Sequence, residues 1–271
     1  MIQYEINKKL ENVNDHTNYI KKIFKSNNYG ELKVLGIHSK IKSCKLYVCE
    51  FLNTKFQTIA QGTNIRRGRV KDKYYPCLYN KGYIGEVVNA EKHSEYPRWK
   101  HILFRLYDDT YKCKENYKDV KLNERWCCFE YFIEDFKYIK GYYNYLKYKD
   151  EIQFHIDKDL FSEENNKIYS LETCCLIPNY LNLFMANESK RNTSGYTGVH
   201  WSISANKWLV RIGKYNSREH ICVTDDIEEA NEIYIKERYK YLIELLEKYY
   251  WLDKEIKEKL LDKYKIERNY L

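Results

Sequence analysis

The segment 196–251 constrains this chain more than any other part of it. Three strand patterns, "YTGVHWSIS", "NKWLVRIGKY" and "REHICVTDD", follow one another with short turns around Ala205-Asn206 and Asn216-Ser217. The sequence then changes period. "DDIEEANEIYIKERYKYLIELLEKYYW" opens with acids, which suit the positive end of a helix dipole, and repeats its apolar residues at helical spacing. A sheet of three strands is marginal unless one face is covered, and the long helix is the available cover. The closing "DKEIKEKLLDKYKIERNYL" reads as a second, charge-laced helix.

Side chains alternate along a strand, so the two faces can be sorted. Val199, Trp201 and Ile203, then Trp208, Val210 and Ile212, then Ile221 and Val223 form the expected apolar face. The opposite face collects His200, Ser202, Lys207, Arg211, Arg218 and His220, together with Leu209, Gly213 and Cys222, and Lys214 at the end of the second strand is a further candidate DNA contact. No carboxylate belongs to that set. Guanidinium and imidazole donors on a sheet suit a DNA groove, where they reach base edges and phosphates.

On these residues the segment resembles the Apetala-type (ethylene-response-factor) DNA-binding domain as it occurs in phage and mobile-element proteins. The shared features are Gly195, Gly198-Val199, Lys207-Trp208, Ile212 and the run Asp225 to Ala230 that opens the helix. The resemblance implies a sheet seated in the major groove, with contacts at His200, Ser202, Arg211, Arg218 and His220. Thr197 and Gly213 stand where the family often has arginine, and His220 where it often has an aromatic, so the resemblance does not carry a target sequence. Upstream, Trp99, Arg105-Leu106-Tyr107, "ERWCCFEYFIEDF" and "HIDKD…IYSLETCCLIPNYLN" together resemble the HNH endonucleases that often carry such a domain at the C-terminal end.

An HNH enzyme needs a histidine on its first strand to deprotonate water, and ligands for a divalent metal that stabilises the phosphate. Placing "HIDKD" on that plan puts Asp157 at the acid and Lys158 where the histidine would stand, with Thr173 at the asparagine position and Asn182 near the last family position. Lysine titrates near 10.4 when unperturbed, so it makes a poor base beside carboxylates. A shifted register offers His155 as base, with Asp157 or Asp159 on Mg²⁺ or another divalent cation. The ordinary alternative for such an acid pair is a strand-to-turn junction with no metal.

The remainder sets the frame. Residues 1–30 include "HTNYIKKIFK", which suggests a helical lead, and 31–90 carry short β-like runs ("ELKVLGIHS", "CKLYVCEFL", "KFQTIAQG"). Within that module "NIRRGRVKDK" places Arg66, Arg67 and Arg69 around Gly68, a loop suited to phosphate contact or simply to solvent. Helical spacing recurs in "YPRWKHILFRLYDD" and in "NERWCCFEYFIEDFKYIKG". The expected plan is a multi-domain α+β chain: a helical lead over 1–30, a β-rich module over 31–90, an HNH-like part over 95–186, an Apetala-like part over 192–250 and a final helix over 251–271.

A net charge of +8 favours an anionic partner. Nine cysteines without a CxxC pair point to reduced thiols in a cytoplasm, that of a bacterial host if the chain is phage-encoded. No apolar run approaches the roughly 20 residues that span a bilayer. The leading expectation is a double-stranded DNA-binding protein of phage or mobile-element type with a degenerate HNH-like core and no certain cofactor. An active metal-dependent homing endonuclease and an inhibitor of a host nucleoprotein defence complex are the alternatives. Nothing in the sequence signals an oligomeric state.

Overall fold

The computed structural model describes residues 3–7, 19–163, 166–185, 194–215 and 217–269. It divides into two compact units, Met1–Glu134 and Asp135–Leu271. The division falls inside the span 95–186 that the sequence groups as one part. The class is α+β, as expected.

The first unit is built on an antiparallel meander, β1 (Ile23–Ser26), β2 (Gly30–Ile41), β3 (Cys44–Phe51) and β4 (Gln57–Gln61), paired in sequence order. Leu32, Val34, Ile37, Tyr47, Cys49, Phe51 and Ala60 bury one face, closed by Ile65 of the short helix α1 (Gly62–Arg66) and by Val70. Two register shifts in β2, at Val34/Gly36 and Ile37/Ser39, bend the long strand so that Val34 and Ile37 both reach the core.

Part of the expected helical lead is corrected here. Residues 8–18 lie outside the described residues, but Ile23–Ser26 is a strand, paired through Ser26↔Gly30 in a hairpin. Gly30 takes φ +78°, a conformation that "NNYG" supplies and a helix does not need.

Helix α2 (Tyr96–Tyr107) has Pro97 in its first turn and buries Trp99, Ile102 and Leu103 at i, i+3 and i+4. The indole of Trp99 donates to the Trp126 carbonyl at 2.7 Å, which satisfies its one polar atom inside the core. A two-residue strand β5 (Lys121–Leu122) precedes a 3₁₀ turn over Glu124–Cys127, and Cys128 then turns extended before α3 (Phe129–Phe136). The expected continuous helix over this stretch is therefore broken.

In the second unit Gly141 begins α4 (Tyr142–Tyr148) at φ +84°, where a Cβ would lie 2.3 Å from the Leu176 carbonyl oxygen. Asp253 accepts from Gly141 N at 2.8 Å and from Asn144 Nδ2 at 2.6 Å. Strand β6 (Phe154–Asp157), the short β7 (Ile168–Tyr169), β8 (Cys175–Pro178) and helix α5 (Asn179–Met185) follow, with β6 and β8 antiparallel. Next come β9 (Val199–Ser202), β10 (Lys207–Lys214) and β11 (Ser217–Thr224), an antiparallel sheet with β10 central.

Helix α6 (Ile227–Lys248) starts at Asp226, whose carboxylate accepts from Glu228 N at 2.7 Å and Glu229 N at 3.2 Å. The last helix is α7 (Lys254–Asn269). Val199, Val210 and Ile212 pack on Ala230, Tyr234, Tyr241 and Leu242, in a cluster that runs on to Cys175, Ile177, Leu181, Ile256 and Leu260. Each large aliphatic side chain buried this way contributes about 1.5–3 kcal/mol. The three-stranded sheet and the β6–β8 pair thus share one core in the second unit. No helix of the described residues is long and apolar enough to cross a membrane.

Candidate nucleic-acid interface

Cross-strand pairing fixes which side chains share the outer face of the three-stranded sheet. Lys207 lies opposite Ser202, Leu209 opposite both His200 and Val223, Arg211 opposite His220, and Gly213 opposite Arg218. Directly opposed residues of an antiparallel pair point to the same side. Val210 and Ile212, which alternate with these, are buried on the helix side. His200, Arg211, Arg218 and His220 are all exposed. Among the described residues neither Arg211 nor Arg218 is ion-paired, and the strand's own acid, Glu219, sits opposite Ile212 and pairs with Lys214 at 2.9 Å.

The sheet departs from simple alternation at one point. Pairing passes from Val210↔Cys222 to Arg211↔His220, leaving Ile221 as the extra residue of a bulge. A one-residue insertion inverts everything beyond it. Cys222, expected outward, lies on the helix side opposite Val210. Val223, expected inward, is 42% exposed beside Leu209. Arg218 and His220 precede the bulge and keep their expected side. Two further corrections concern β9: Val199 is buried as expected, but Trp201 is 45% and Ile203 90% exposed. Trp201 instead meets Trp208 edge to face at 5.0 Å, and Ile203 lies past the strand end.

The polar residues around the face divide by role. Ser202 is half-buried and accepts from Ala205 N at 3.3 Å, so it shapes the β9–β10 turn. Lys207 reaches Asp225 at 2.8 Å in an exposed pair, which costs little to exchange for a phosphate. Lys214 is corrected: its ammonium lies between Glu219 and Glu244 and 5.0 Å from the centre of the Tyr241 ring, so it faces α6 and leaves the interface. The hydrogen bond from Lys214 to Glu219 raises its pKa further. Gly213 is exposed, with nothing within 4 Å of where a Cβ would stand.

In the first unit the arginine loop is anchored from below. Ser26 Oγ donates to Val70 O at 2.7 Å, Asn27 N to Gly68 O at 2.9 Å, and Asn27 Nδ2 to Arg67 O at 3.3 Å. Gly68 has φ +64°, and a Cβ there would meet Asn27 Oδ1 at 2.4 Å. Arg66, Arg67 and Arg69 project into solvent around this fixed turn. Asp72, the nearest acid in sequence, is turned inward and accepts from Thr54 Oγ1 at 2.5 Å and Tyr74 N at 2.9 Å. Burial raises its pKa against those hydrogen bonds.

The acidic stretch forms β6, followed in sequence by β7, β8 and α5, with His155↔Ile177 and Asp157↔Cys175 in register between β6 and β8. Asp157 is 7% exposed, and one of its oxygens accepts from Asp159 N at 3.0 Å and Leu160 N at 2.8 Å. Burial, with the neighbouring Asp159 charge, holds its carboxyl above the ordinary range. Lys158 is buried and donates to Asp159 Oδ2 at 2.8 Å, while Lys167 reaches the other Asp159 oxygen at 3.0 Å. Burial pushes the Asp159 carboxyl up, but the two lysines outweigh it and the net shift is downward. Thr173 donates to Ile168 O at 2.5 Å and lies 3.1 Å from Ser170 Oγ, a turn-forming role.

Comparison with protein-family models, with curated proteins and with solved structures returned no match.

The donor set therefore decides what the acidic stretch can do. The expected metal pair, Asp157 and Asp159, does not fit a divalent cation: one carboxylate is committed to two backbone amides and the other to two ammonium groups. Among the described residues no three His, Cys, Asp or Glu side chains converge as a metal site would require. His155 and Asp157 share a face of β6, and Asp157 closes the turn that follows the strand. Of the pair expected for catalysis, His155 and Asp157, the acid is bound to the backbone of its own turn.

Proposed function

We propose that the second unit binds double-stranded DNA through the outer face of the β9–β10–β11 sheet, with the β6–β8–α5 part serving as scaffold and not as a nuclease. The observation that carries this is the set His200, Arg211, Arg218 and His220, all exposed and sharing one face by register, with neither arginine ion-paired among the described residues.

The dimensions suit a major groove. Three strands about 4.8 Å apart measure roughly 10 Å across their backbones, and the groove is about 12 Å wide. Arg211 and Gly213 are two residues apart on β10, so the pairs Arg211–His220 and Gly213–Arg218 are offset by about 6.8 Å, close to two base-pair steps. Arginine at either level can take guanine O6 and N7 in a bidentate contact, or a phosphate. Leu209 and Val223, brought together by the bulge, give the same face an apolar spot that fits a thymine methyl. The arginine loop of the first unit is suited to phosphate contact of its own. The resemblance to phage and mobile-element proteins makes a bacterial cytoplasm the setting of this reading.

The test is a backbone NMR titration of the whole chain with a duplex. Shifts concentrated on residues 200, 209–213, 218–220 and 223 are expected. Shifts confined to α6, or none at any concentration, would rule the face out.

A further inference from the structure

Between Phe136 and Lys149 the chain carries Lys137, Lys140, Lys147 and Lys149, five tyrosines and no Asp or Glu. Helix α4 sorts these residues by face. Tyr145 turns inward against Phe136 and Phe154, with ring centres 5.7 and 5.8 Å away, and Tyr148 stacks on Trp251 at 4.3 Å. Tyr143, Leu146 and Lys147, three and four residues apart, occupy the opposite face. Tyr143 is 83% exposed there, Tyr138 in the turn before the helix 74%, and Tyr250 after α6 73%. Those three are the most exposed aromatic rings among the described residues.

Tyr250 directly precedes Trp251, the ring stacked on Tyr148 of α4. The ammonium of Lys147 lies 5.0 Å from the centre of the Tyr148 ring, and a hydrogen bond to that tyrosine raises its pKa. Asp253, beside the start of the helix, holds Gly141 N and Asn144 Nδ2, and Glu255 reaches Lys140 at 3.9 Å. Asp150 and Glu151 come after the helix has ended. Lys137, Lys147 and Lys149 are exposed beside these exposed rings, of which Tyr143 meets Tyr142 edge to face at 6.2 Å.

We propose that this face of α4, with Tyr138, Tyr143, Lys147 and Tyr250, binds single-stranded DNA. Every base has a flat π-surface on which an exposed ring can stack, and lysines between the rings meet the phosphates. A duplex offers no such surface, because its bases are already stacked on each other. A bilayer is a poor occupant, since Leu146 is the one aliphatic side chain on the face. The choice of DNA over RNA rests on the proposed duplex-binding function; the chemistry of rings and lysines does not.

The probe is a fluorescein-labelled oligothymidylate of about 15 nucleotides, followed by anisotropy with the whole chain. Wild-type protein is expected to bind it. Tyr143→Ala and Tyr250→Ala should each weaken binding by about tenfold, and Lys147→Gln should lower the salt slope by about 0.7. Duplex binding should be unchanged in all three, and far-ultraviolet circular dichroism should be that of the wild type. Any of four results would overturn the proposal: no binding by the wild type, binding indifferent to the tyrosines, binding of oligouridylate alone, or capture by anionic vesicles that depends on the same residues. Loss of oligothymidylate binding in Arg211→Ala/Arg218→Ala with the tyrosine variants unaffected would place the strand on the sheet and also overturn it. Absence of duplex binding beside tyrosine-dependent strand binding would sink the duplex reading alone.

Discussion

At Gly198 the chain entering the sheet leaves no room for a side chain against the covering helix, and replacing it with alanine tests that packing directly. Its φ is +74°, and a Cβ would lie 2.1 and 2.2 Å from two ring carbons of Tyr234 and 2.7 Å from the Arg211 carbonyl oxygen. The left-handed backbone alone costs an L-residue about 1–2 kcal/mol. The clash adds an overpacking cost of about 1–3 kcal/mol, because neither neighbour can yield freely. Tyr234 is 7% exposed and its hydroxyl is bonded to Arg238, while Arg211 N donates to Gly198 O at 2.8 Å and ties that carbonyl's residue to the strand pairing.

The sum is about 2–5 kcal/mol, a large share of the roughly 5–15 kcal/mol that holds a domain folded. Gly195→Ala is the control. It has φ +80° with nothing within 4 Å of the new Cβ, so it carries the backbone cost without the clash. Urea unfolding followed by circular dichroism should show Gly198→Ala destabilised beyond Gly195→Ala by about 1–3 kcal/mol. Equal losses in the two variants would refute the close approach of sheet and helix.

Other expectations follow from the same coordinates. Gly213→Arg adds a cation to an open position on the outer face, so duplex affinity should rise and the salt slope steepen by about one; an unchanged slope counts against the face. Asp157 titrates higher in the folded chain than in the unfolded one, so its contribution to stability is present at low pH and is lost as pH rises from the ordinary carboxylate value through the raised one. Asp157→Asn, neutral throughout, should therefore gain on the wild type in unfolding titrations as pH rises from about 4; a deficit growing with pH contradicts that sign. Plasmid incubated with Mg²⁺ or Mn²⁺ should show no cleavage that disappears in His155→Ala, and such cleavage would restore the nuclease reading.

The C-terminal architecture was legible because its signals are local. Alternation marked three strands, Asn206 stood where a positive φ was needed, and Asp226 with the acids after it marked the helix start. The bulge was not legible: Ile221 is one more apolar β-former in an apolar strand, and no glycine or proline flags it. The direction of Lys214 depends on Glu244 and Tyr241, far away in sequence. In the first unit "KKIFK" has charges at helical spacing, and the Asn27–Gly30 turn that makes it a hairpin strand was the overlooked signal. The acids of "HIDKD" are plain in the sequence. Their commitment to backbone amides and to Lys158 and Lys167 is tertiary, and only the fold discloses it.

The central claim is that Arg211 and Arg218 lie against DNA phosphates or bases. Its most direct test is the salt dependence of duplex binding by the wild type and by Arg211→Ala/Arg218→Ala, measured by anisotropy across a series of salt concentrations. Each lost phosphate contact removes about 0.9 from the slope of log affinity against log salt. If both arginines sit on phosphates, the double variant should bind more weakly with a slope shallower by nearly two; if either reads a base instead, affinity still falls and the slope changes less. Affinity and slope both equal to the wild type would contradict the account.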